Sequence, residues 1–364
     1  MQNLGPRKVF KMDINLFDFD LPEELIAQSP SAKRDECKLL VVDREHKTIE
    51  DKLFKDIINY LKPGDVLVRN NTKVIPARLI GTKVETGGHC EVLLLKQLEE
   101  QGTWECLVGN AHSVKEGTHV CFGDGCLSCV CIKVLPEGLR HFRFEYKGIF
   151  LEILDKLGKM PLPPYIKKQV SNNDDYQTVY AKIPGSAAAP TAGFHFTEEL
   201  FNKIKEKGCQ VVDVTLNIGL GTFRPVKVND TKDHVMHSES FYMSKESADL
   251  LNKAKQENRR IIAIGTTSVR TLESVYNKYG KFVETHEDTS IFINPGYEYK
   301  AVDALITNFH LPKSTLVMLV SAFMGRKFTL SCYKHAIKEK YRFFSFGDAM
   351  FIYGKYDYSK NEND

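Results

Sequence analysis

The spacing of hydrophobic and polar residues changes along this chain, and the change marks two kinds of structure. After residue 147, apolar residues at helical spacing alternate with short apolar runs that suit buried strands. FTEELFNKIKEKG, KESADLLNKAKQENR and TTSVRTLESVYNKYG predict helices, whereas CQVVDVTLNIG, RIIAIGTT and VDALITNF predict strands. Strands alternating with helices of about 10 to 15 residues predict a layered α/β domain with a mixed sheet.

Residues 77–146 follow a different pattern. The runs ARLIGTKV, CEVLLLKQL, TWECLVG, THVCFG, LSCVCIKVL and HFRFEY alternate and are separated by turn clusters such as TGG, KEG and GDG. Short strands at regular spacing predict an inserted antiparallel β-barrel-like domain. The α/β catalytic domain is then discontinuous, covering 12–76 and 147–354. We expect the polar ends, 1–11 and 355–364, to be mobile.

Further helices and strands are predicted on either side of the insertion. LPEELIAQ and LFKDIINYLKPGD predict helices, and CKLLVVDR predicts a strand. STLVMLVSAFMG predicts a buried helix that Ser314 caps. Its apolar run is well below the ~20 residues that a bilayer requires, so we expect no membrane segment.

Composition narrows the class of protein only slightly. Hydrophobic residues make up 42% and charged residues 27%, as in ordinary globular proteins, and the net charge is +3. Cys126, Cys129 and Cys131 could belong to a zinc site, but no second ligand pair follows at a matching spacing. Their alternation favours reduced thiols packed within strands. An odd total of nine cysteines without a secretory leader predicts a cytoplasmic protein.

The first candidate for chemistry is the stretch IPGSAAAPTAGFHFTEEL, residues 183–200. His195 follows a loop of small residues and precedes a helix that Thr197 caps. Bare backbone around Thr191 and Gly193 would let a flat ligand approach closely. A tight loop holding a packed histidine is the alternative.

A second candidate is RIIAIGTTSVRTLES, where a buried strand runs into the start of a helix. Thr266, Thr267 and Ser268 offer hydroxyl and N–H groups to an anion, and Arg270 adds positive charge. The alternative is a well-capped helix without a ligand.

Two weaker motifs follow. Gly219 and Gly221 in NIGLGTFRPV resemble part of a dinucleotide fingerprint, but a third glycine is missing, so a ligand turn is the cautious interpretation. In HVMHSESFYMS, His237 and Glu239 would share one strand face as an acid–base pair, half of a metal site, or a solvated strand.

Strand ends supply the last candidates. The strand in DALITNFHLPKSTL ends in Asn308 and His310, and ligands of α/β sheets bind at the carboxyl ends of strands. RNNTKVIPAR places Asn71, Lys73 and Arg78 near the predicted junction of the two domains, where clefts form.

Taken together, these stretches resemble the S-adenosylmethionine:tRNA ribosyltransferase-isomerases of queuosine biosynthesis. The resemblance runs through almost the whole chain from Met12, and it is carried by DFDLPEELIAQSP, NNTKVIPARL, GGHCEVLLL, GKMPLPPYIK, YQTVYAKIPGSAAAPTAGFHF, GLGTFRPV, HSE, IAIGTTSVRTLES, TNFHLPKSTLVMLVSAF and YRFFSFGDAM.

The resemblance implies an α/β domain with an inserted barrel and an unusual reaction. The ribosyl group of S-adenosylmethionine moves to the aminomethyl-deazaguanine (preQ1) wobble base of a tRNA with a GUN anticodon. Adenine and methionine leave, and the sugar becomes the epoxycyclopentane of epoxyqueuosine. S-adenosylmethionine is thus a co-substrate, and we expect no cofactor, no metal and a monomer.

The implied chemistry needs a base for a 5′ proton and a donor for the departing adenine. Histidine suits both, so His195, His237 and His310 are our acid–base candidates, with Glu239 orienting one of them. The predicted substrate-binding residues are Thr191, Gly193, Gly219, Gly221, Thr266, Thr267, Ser268, Arg270 and Asn308, of which Thr266, Thr267 and Ser268 would hold the methionine carboxylate.

The tRNA contacts are predicted from exposed charge, and their alternative is ordinary solvated charge. The residues expected near phosphate are Lys73, Arg78, Lys159, Lys167 and Lys168. The chain departs from the family pattern at Asn71, where Asp is usual, and at Asn217, where His is usual. Neither amide titrates, so neither residue can be an ionising catalyst.

Three other functions compete with this interpretation. A methyltransferase would carry an early glycine-rich turn, which is absent from the sequence. A non-catalytic RNA-binding protein would not explain three histidine-bearing loops. A zinc enzyme would need ligands that the spacing does not supply.

Overall fold

The computed structural model describes residues 12–168, 172–219, 228 and 230–358. The strands of these ranges are, in chain order, β1 (Lys38–Asp43), β2 (Thr48–Leu53), β3 (Val66–Asn70), β4 (Thr72–Val74), β5 (Arg78–Lys83), β6 (His89–Gln97), β7 (Thr103–Val108), β8 (His119–Phe122), β9 (Leu127–Val134), β10 (Leu139–Tyr146), β11 (Ile183–Ser186), β12 (Gln210–Leu216), β13 (Glu239–Met243), β14 (Ile261–Ile264), β15 (Thr285–Thr289), β16 (Ala304–Asn308) and β17 (Ala349–Tyr353). The α-helices are α1 (Phe150–Leu157), α2 (Glu198–Glu206), α3 (Lys245–Gln256), α4 (Gly265–Tyr279), α5 (Thr315–Met324) and α6 (Arg326–Lys338).

The main domain is built on a nine-stranded mixed sheet in the order β15-β13-β12-β3-β14-β16-β17-β1-β2. The four central strands β12, β3, β14 and β16 are parallel to one another, so their carboxyl ends lie at one edge. The pairs β16–β17, β1–β2, β12–β13 and β13–β15 are antiparallel, and β17–β1 is parallel. The predicted α/β class with a mixed sheet is confirmed.

The central strands are buried on both faces because helices cover each side. In β14, Ile261 and Ala263 join one core with residues of α3, α4 and α5. Ile262 and Ile264 join the opposite core, with side chains of α2 and of a 3-10 helix at Phe54–Tyr60. Successive side chains of a strand point to opposite faces, which is why β14 is a continuous apolar run.

The inserted domain is a closed six-stranded barrel in the order β10-β7-β6-β5-β8-β9, and every neighbouring pair is antiparallel. The predicted barrel is thus confirmed. Cys129 and Cys131 alternate into its core, and Leu154 of α1 closes one end. Among the described residues, no three His, Cys, Asp or Glu side chains are grouped so as to hold a metal ion.

Several local predictions differ from the structure. LPEELIAQ forms only a 3-10 turn at Glu23–Leu25, and the predicted helix after Leu53 is the 3-10 helix Phe54–Tyr60. Phe54 and Ile57 are its two buried residues, three apart, which matches the three residues per turn of that helix. The sequence did not reveal β2 or β15, because these edge strands have exposed polar residues and little hydrophobic pattern.

The helix predicted at STLVMLVSAFMG is α5, and the Ser314 hydroxyl accepts a hydrogen bond from the Val317 N–H at 3.3 Å. Its side chains from Val317 to Met324 are buried. In the part of the chain that the structure describes, no single helix is long and apolar enough to span a membrane, although α5 and α6 pass that test together with a bend of 114° between them.

Candidate active site

The candidate site lies at the carboxyl edge of the four parallel strands. The chain leaves β3 and returns in β12 on one side, whereas it leaves β14 and returns in β16 on the other side. Adjacent strands whose connections run in opposite directions leave a crevice between them, where ligands of α/β sheets bind. Residues 183–196 cross this edge: β11 pairs with β4, and Ala188 forms a bridge to Ile218.

The side chains of this crossing segment are small because the segment packs between separate cores. Ala187 belongs to the barrel core and Ala188 to the main core, whereas Ala192 packs in the core on the opposite face of the sheet. A Cβ on Gly193 would overlap the Tyr180 hydroxyl. Packing therefore explains these small side chains better than the predicted contact of bare backbone with a ligand. Thr191 is half-buried at the start of a 3-10 helix, Thr191–His195.

His195 ends that 3-10 helix, and its side chain is 97% buried. Its Nδ1 lies 3.1 Å from Cys37 Sγ, and its Nε2 has no hydrogen-bond partner within the described part of the chain. Burial lowers the pKa of His195 to about 3, and the Asn308 side chain opposes this effect. The imidazole is therefore neutral at pH 7 and has one nitrogen left for a ligand.

A small cavity of about 20 Å³ opens beside this imidazole, which is enough for about one water molecule. Its lining residues are Pro30, Ser31, Arg34, Asp175, Phe194, His195, Ser345, Phe346 and Gly347. Arg34 donates to the backbone carbonyls of Gln177 at 2.8 Å and Asp174 at 3.1 Å. The cavity lining thus brings a cation, Arg34, and an anion, Asp175, together with the neutral His195.

Asn308 and His310 follow β16 at the same edge and are both buried. Asn308 Nδ2 donates to the Phe344 carbonyl at 2.9 Å, while its Oδ1 is buried without a partner. His310 Nε2 lies 2.8 Å from Thr307 Oγ1, and burial lowers the pKa of His310 to about 3. The predicted strand end therefore supplies a second neutral imidazole beside an unpaired amide oxygen.

The depressed pKa of His310 has a consequence for stability. Its folded pKa of about 3 lies below the ordinary value of 6.5, so the unfolded chain binds the extra proton first. The free energy of unfolding should therefore fall as the pH drops from 6.5 towards 3, by about 1.4 kcal/mol per pH unit for this group. Urea unfolding between pH 7.5 and 5 should show a shallower loss in His310→Gln, whereas the same change at the exposed His112 should leave the slope unaltered. Equal slopes in the wild type and His310→Gln would contradict the argument.

Arg270 and Glu239 form a buried ion pair at the other end of the edge. The carboxylate also accepts a hydrogen bond from the Gly219 N–H at 3.0 Å. Among the described residues, Arg270 Nε and Nη2 and Thr267 Oγ1 are buried and have no hydrogen-bond partner. Thr267 and Arg270 lie three residues apart on α4 and so share a face. Unpaired buried donors are costly and rare, and donors on one face of a helix have the chemistry that an anion requires.

The first turn of α4 is also open to an anion. No side chain caps it, because Gly265 follows directly on β14 with a φ of 83°, and its first N–H groups are free of helical partners. Thr266 and Thr267 are half-buried there. Ser268 differs from the prediction, because it is fully buried and its hydroxyl donates to the Ile264 carbonyl at 2.8 Å.

His237 and Glu239 do not share a strand in the structure, in contrast to the prediction. The strand β13 begins at Glu239, and His237 lies before it, half-buried. Glu239 pairs with Arg270 rather than orienting a histidine, since the start of β13 faces α4. Gly219 has open space where a side chain would lie, whereas Gly221 lies outside the described residues.

Asn71 and Asn217, the two residues that depart from the family pattern, are held in place by hydrogen bonds. Asn71 Oδ1 accepts from the Thr215 hydroxyl at 2.7 Å, and Asn217 Oδ1 accepts from the Thr72 hydroxyl at 2.8 Å. Both amides therefore join the end of β12 to the segment that follows β3. Their neighbour Asn70 does the same through the backbone of Leu216.

The basic residues predicted for tRNA fall into two groups. Arg78 and Lys159 exchange backbone hydrogen bonds of 3.2 and 2.8 Å where the barrel joins the main domain, and Lys73 is exposed on nearby β4. Lys167 and Lys168 are exposed, and Lys167 pairs with Glu23 at 2.6 Å.

Sequence patterns did not reveal Cys37 or Tyr180 as neighbours of the site. Cys37 lies at the start of β1, 158 positions before the imidazole that it contacts. Tyr180 fills the space beside Gly193. Cys37 belongs to none of the quoted motifs, and Tyr180 lies in YQTVYAKIPGSAAAPTAGFHF without any pattern that marks it. Only the three-dimensional arrangement brings the two residues to His195 and its loop.

Comparison with known proteins agrees with the fold and with the extent of the matching sequence. The family described as queuosine biosynthesis protein matches residues 14–352. A solved structure of an S-adenosylmethionine tRNA ribosyltransferase from Thermotoga maritima is 39% identical in sequence. The match covers 93% of this chain and 99% of that chain, with a TM-score of 0.54.

Proposed function

Because this chain belongs to the queuosine biosynthesis protein family, we infer that it is an S-adenosylmethionine:tRNA ribosyltransferase-isomerase, a transferase of tRNA modification. The observation that carries this conclusion is a family match from residue 14 to residue 352, which spans both the sheet and the barrel. The enzyme transfers and isomerises the ribosyl group of S-adenosylmethionine onto a tRNA base, with release of adenine and methionine.

The finer identity of the partners is part of this proposal. The acceptor is the preQ1 base at the wobble position of a tRNA with a GUN anticodon, and the product is epoxyqueuosine. S-adenosylmethionine is consumed as a co-substrate, and the reaction needs no further cofactor or metal. We place the enzyme in the cytoplasm as a monomer. All nine cysteines are free thiols, which supports a reducing compartment.

The methionine end of the co-substrate suits the Arg270 end of the site. A carboxylate accepts two parallel hydrogen bonds from a guanidinium, and Arg270 has two buried N–H groups without partners. Thr266, Thr267 and the free N–H groups at the start of α4 would complete this carboxylate site. Glu239 positions the guanidinium through the buried ion pair.

The adenosyl end then extends towards His195. From β13, which carries Glu239, to β16, which carries Asn308, there are four strand spacings, or ~19 Å. An extended aminoacyl nucleoside fits that span. Neutral His195 and His310 lie at this end, where adenine must leave with the help of a hydrogen-bond donor. His237, half-buried before β13, is the remaining acid–base candidate.

The tRNA would approach from the side of the barrel junction. Arg78 and Lys159 lie together where the barrel meets the sheet, with Lys73 on β4, and these residues would supply positive charge for phosphates, although Arg78 also pairs with Glu91 at 3.3 Å. Lys167 and Lys168 extend the charge along the main domain. An anticodon loop is single-stranded, so its bases can turn towards the carboxyl edge.

A product assay tests the proposed reaction directly. We expect purified protein with S-adenosylmethionine and preQ1-containing tRNA, without added metal, to release adenine and methionine in equal amounts. The modified nucleoside should gain the mass of the epoxycyclopentane group. S-adenosylhomocysteine as the product would identify a methyltransferase instead, and a folded protein that released neither product would overturn the proposal.

A further inference from the structure

Cys37 and His195 form a buried contact that the reaction outlined above does not explain. Cys37 immediately precedes β1 and is 96% buried, and its Sγ lies 3.1 Å from His195 Nδ1. Burial raises the pKa of the Cys37 thiol well above its ordinary range and lowers that of the imidazole. The contact is therefore between a neutral thiol and a neutral ring, and the two share a single hydrogen bond.

The direction of that hydrogen bond follows from the chemistry of the two groups. A neutral imidazole has one nitrogen that accepts and one that donates, and a thiol sulfur accepts only weakly, whereas the lone pair of an imidazole nitrogen is a good acceptor. The Cys37 S–H therefore donates to Nδ1, which leaves the ring proton on Nε2. That nitrogen is buried and has no hydrogen-bond partner.

Asn308 favours the same arrangement from the other side of the ring. Its amide orientation is fixed, because Nδ2 donates to the Phe344 carbonyl at 2.9 Å. Its Oδ1 is consequently left as an unpaired acceptor near His195. An amide oxygen near the ring stabilises a proton on Nε2 and repels a lone pair there, and the Asn308 side chain raises the pKa of His195 against the effect of burial.

We propose that Cys37 and Asn308 are positioning residues that hold His195 as a neutral imidazole with its proton on Nε2, where it donates a hydrogen bond to a ring nitrogen of the departing adenine. The assignment of that acceptor rests on the proposed function. Because the proton stays on His195, no proton transfer passes through the Cys37–His195 pair. The base that removes the 5′ proton is then a different group.

The position of the proton can be read without substrate. In protein labelled with ¹⁵N-histidine, two-dimensional spectra at pH 7 distinguish the two nitrogens, and His195→Gln identifies the signal. We expect the wild type to carry the proton on Nε2. A proton on Nδ1, or on both nitrogens, would overturn the proposal. Because no substrate is present, this outcome is independent of whether ribosyl transfer occurs.

Variants of Cys37 test whether the thiol keeps the His195 proton on Nε2. Cys37→Ser retains a donor and should keep both the wild-type spectrum and the wild-type kcat. Cys37→Ala should move part of the proton to Nδ1 and lower kcat about three- to tenfold, with little change in KM for S-adenosylmethionine. If the alanine variant does not fold, Cys37→Val removes the donor while filling the space.

A matched control separates positioning from packing. Cys332 is a fully buried thiol on α6 in the main core, so Cys332→Ala should cost stability without altering the His195 spectrum or kcat. A Cys37→Ala variant with the wild-type spectrum and wild-type kcat would show that Cys37 does not position His195.

Discussion

Replacing His195 with alanine is expected to lower kcat for adenine release by about 10²- to 10³-fold, with little change in KM for S-adenosylmethionine. The Nε2 of this residue is a buried, unpaired group at the carboxyl edge of the sheet, and burial keeps the ring neutral. A donor fixed in a water-poor site stabilises charge on a leaving group more than a donor in water does. Single-turnover measurement of adenine would give this rate directly.

Two further variants define what His195 contributes. His195→Gln keeps an N–H donor without a titratable ring, so it should recover part of the lost rate if the residue acts as a donor. His335→Ala removes a half-buried imidazole that pairs with Asp51 at 2.9 Å on the outer strand β2, and kcat should not change. A His195→Ala enzyme with wild-type turnover would exclude this residue from the reaction.

Replacing Arg270 with glutamine is expected to raise KM for S-adenosylmethionine by about 30- to 5,000-fold. Truncating one partner of a buried charge pair in a binding site typically costs about 2–5 kcal/mol. The variant removes the two unpaired N–H groups that suit a carboxylate, and it also leaves Glu239 buried without its cation. Initial rates at varied S-adenosylmethionine concentration, with saturating tRNA, measure the effect.

The double variant Glu239→Gln/Arg270→Gln separates binding from folding. Its free energy of unfolding should recover relative to Arg270→Gln, because no unpaired charge remains buried, while KM stays high. Arg259→Gln is the matched control, since Arg259 contacts Gly64 and Gln210 at the opposite edge of the same sheet. Wild-type KM in Arg270→Gln would place the carboxylate elsewhere.

The candidate site could be located from the sequence more readily than its contacts could be assigned. Asn308 and Thr267 were identified because they follow buried apolar runs, and the ends of parallel strands meet at one edge. The pairing of Glu239 with Arg270 was not predicted, because the sequence pattern linked Glu239 to His237 two positions away. Side-chain partners across an edge depend on strand order, which local periodicity does not contain.

In segment 183–196, too, the sequence located an unusual feature but did not reveal its contacts. Its composition indicated an unusual loop around one histidine, but the assigned reason, space for a ligand, is largely replaced by packing. Ala187, Ala188 and Gly193 fill positions between the barrel, the sheet and Tyr180. A small residue can leave room for a ligand or for a closely packed neighbouring side chain, and the sequence does not distinguish these two reasons.

The sequence by itself determined the α/β class, the inserted barrel and the family, because hydrophobic period and ordered motifs are properties of neighbouring residues. Tertiary structure alone decided that β2 and β15 form the sheet's edges, that Cys37 lies against His195, and that Arg270 faces Glu239. The two side-chain pairs join residues that are 158 and 31 positions apart in the sequence. Burial then set the protonation of both site histidines, and burial is a property of the folded chain.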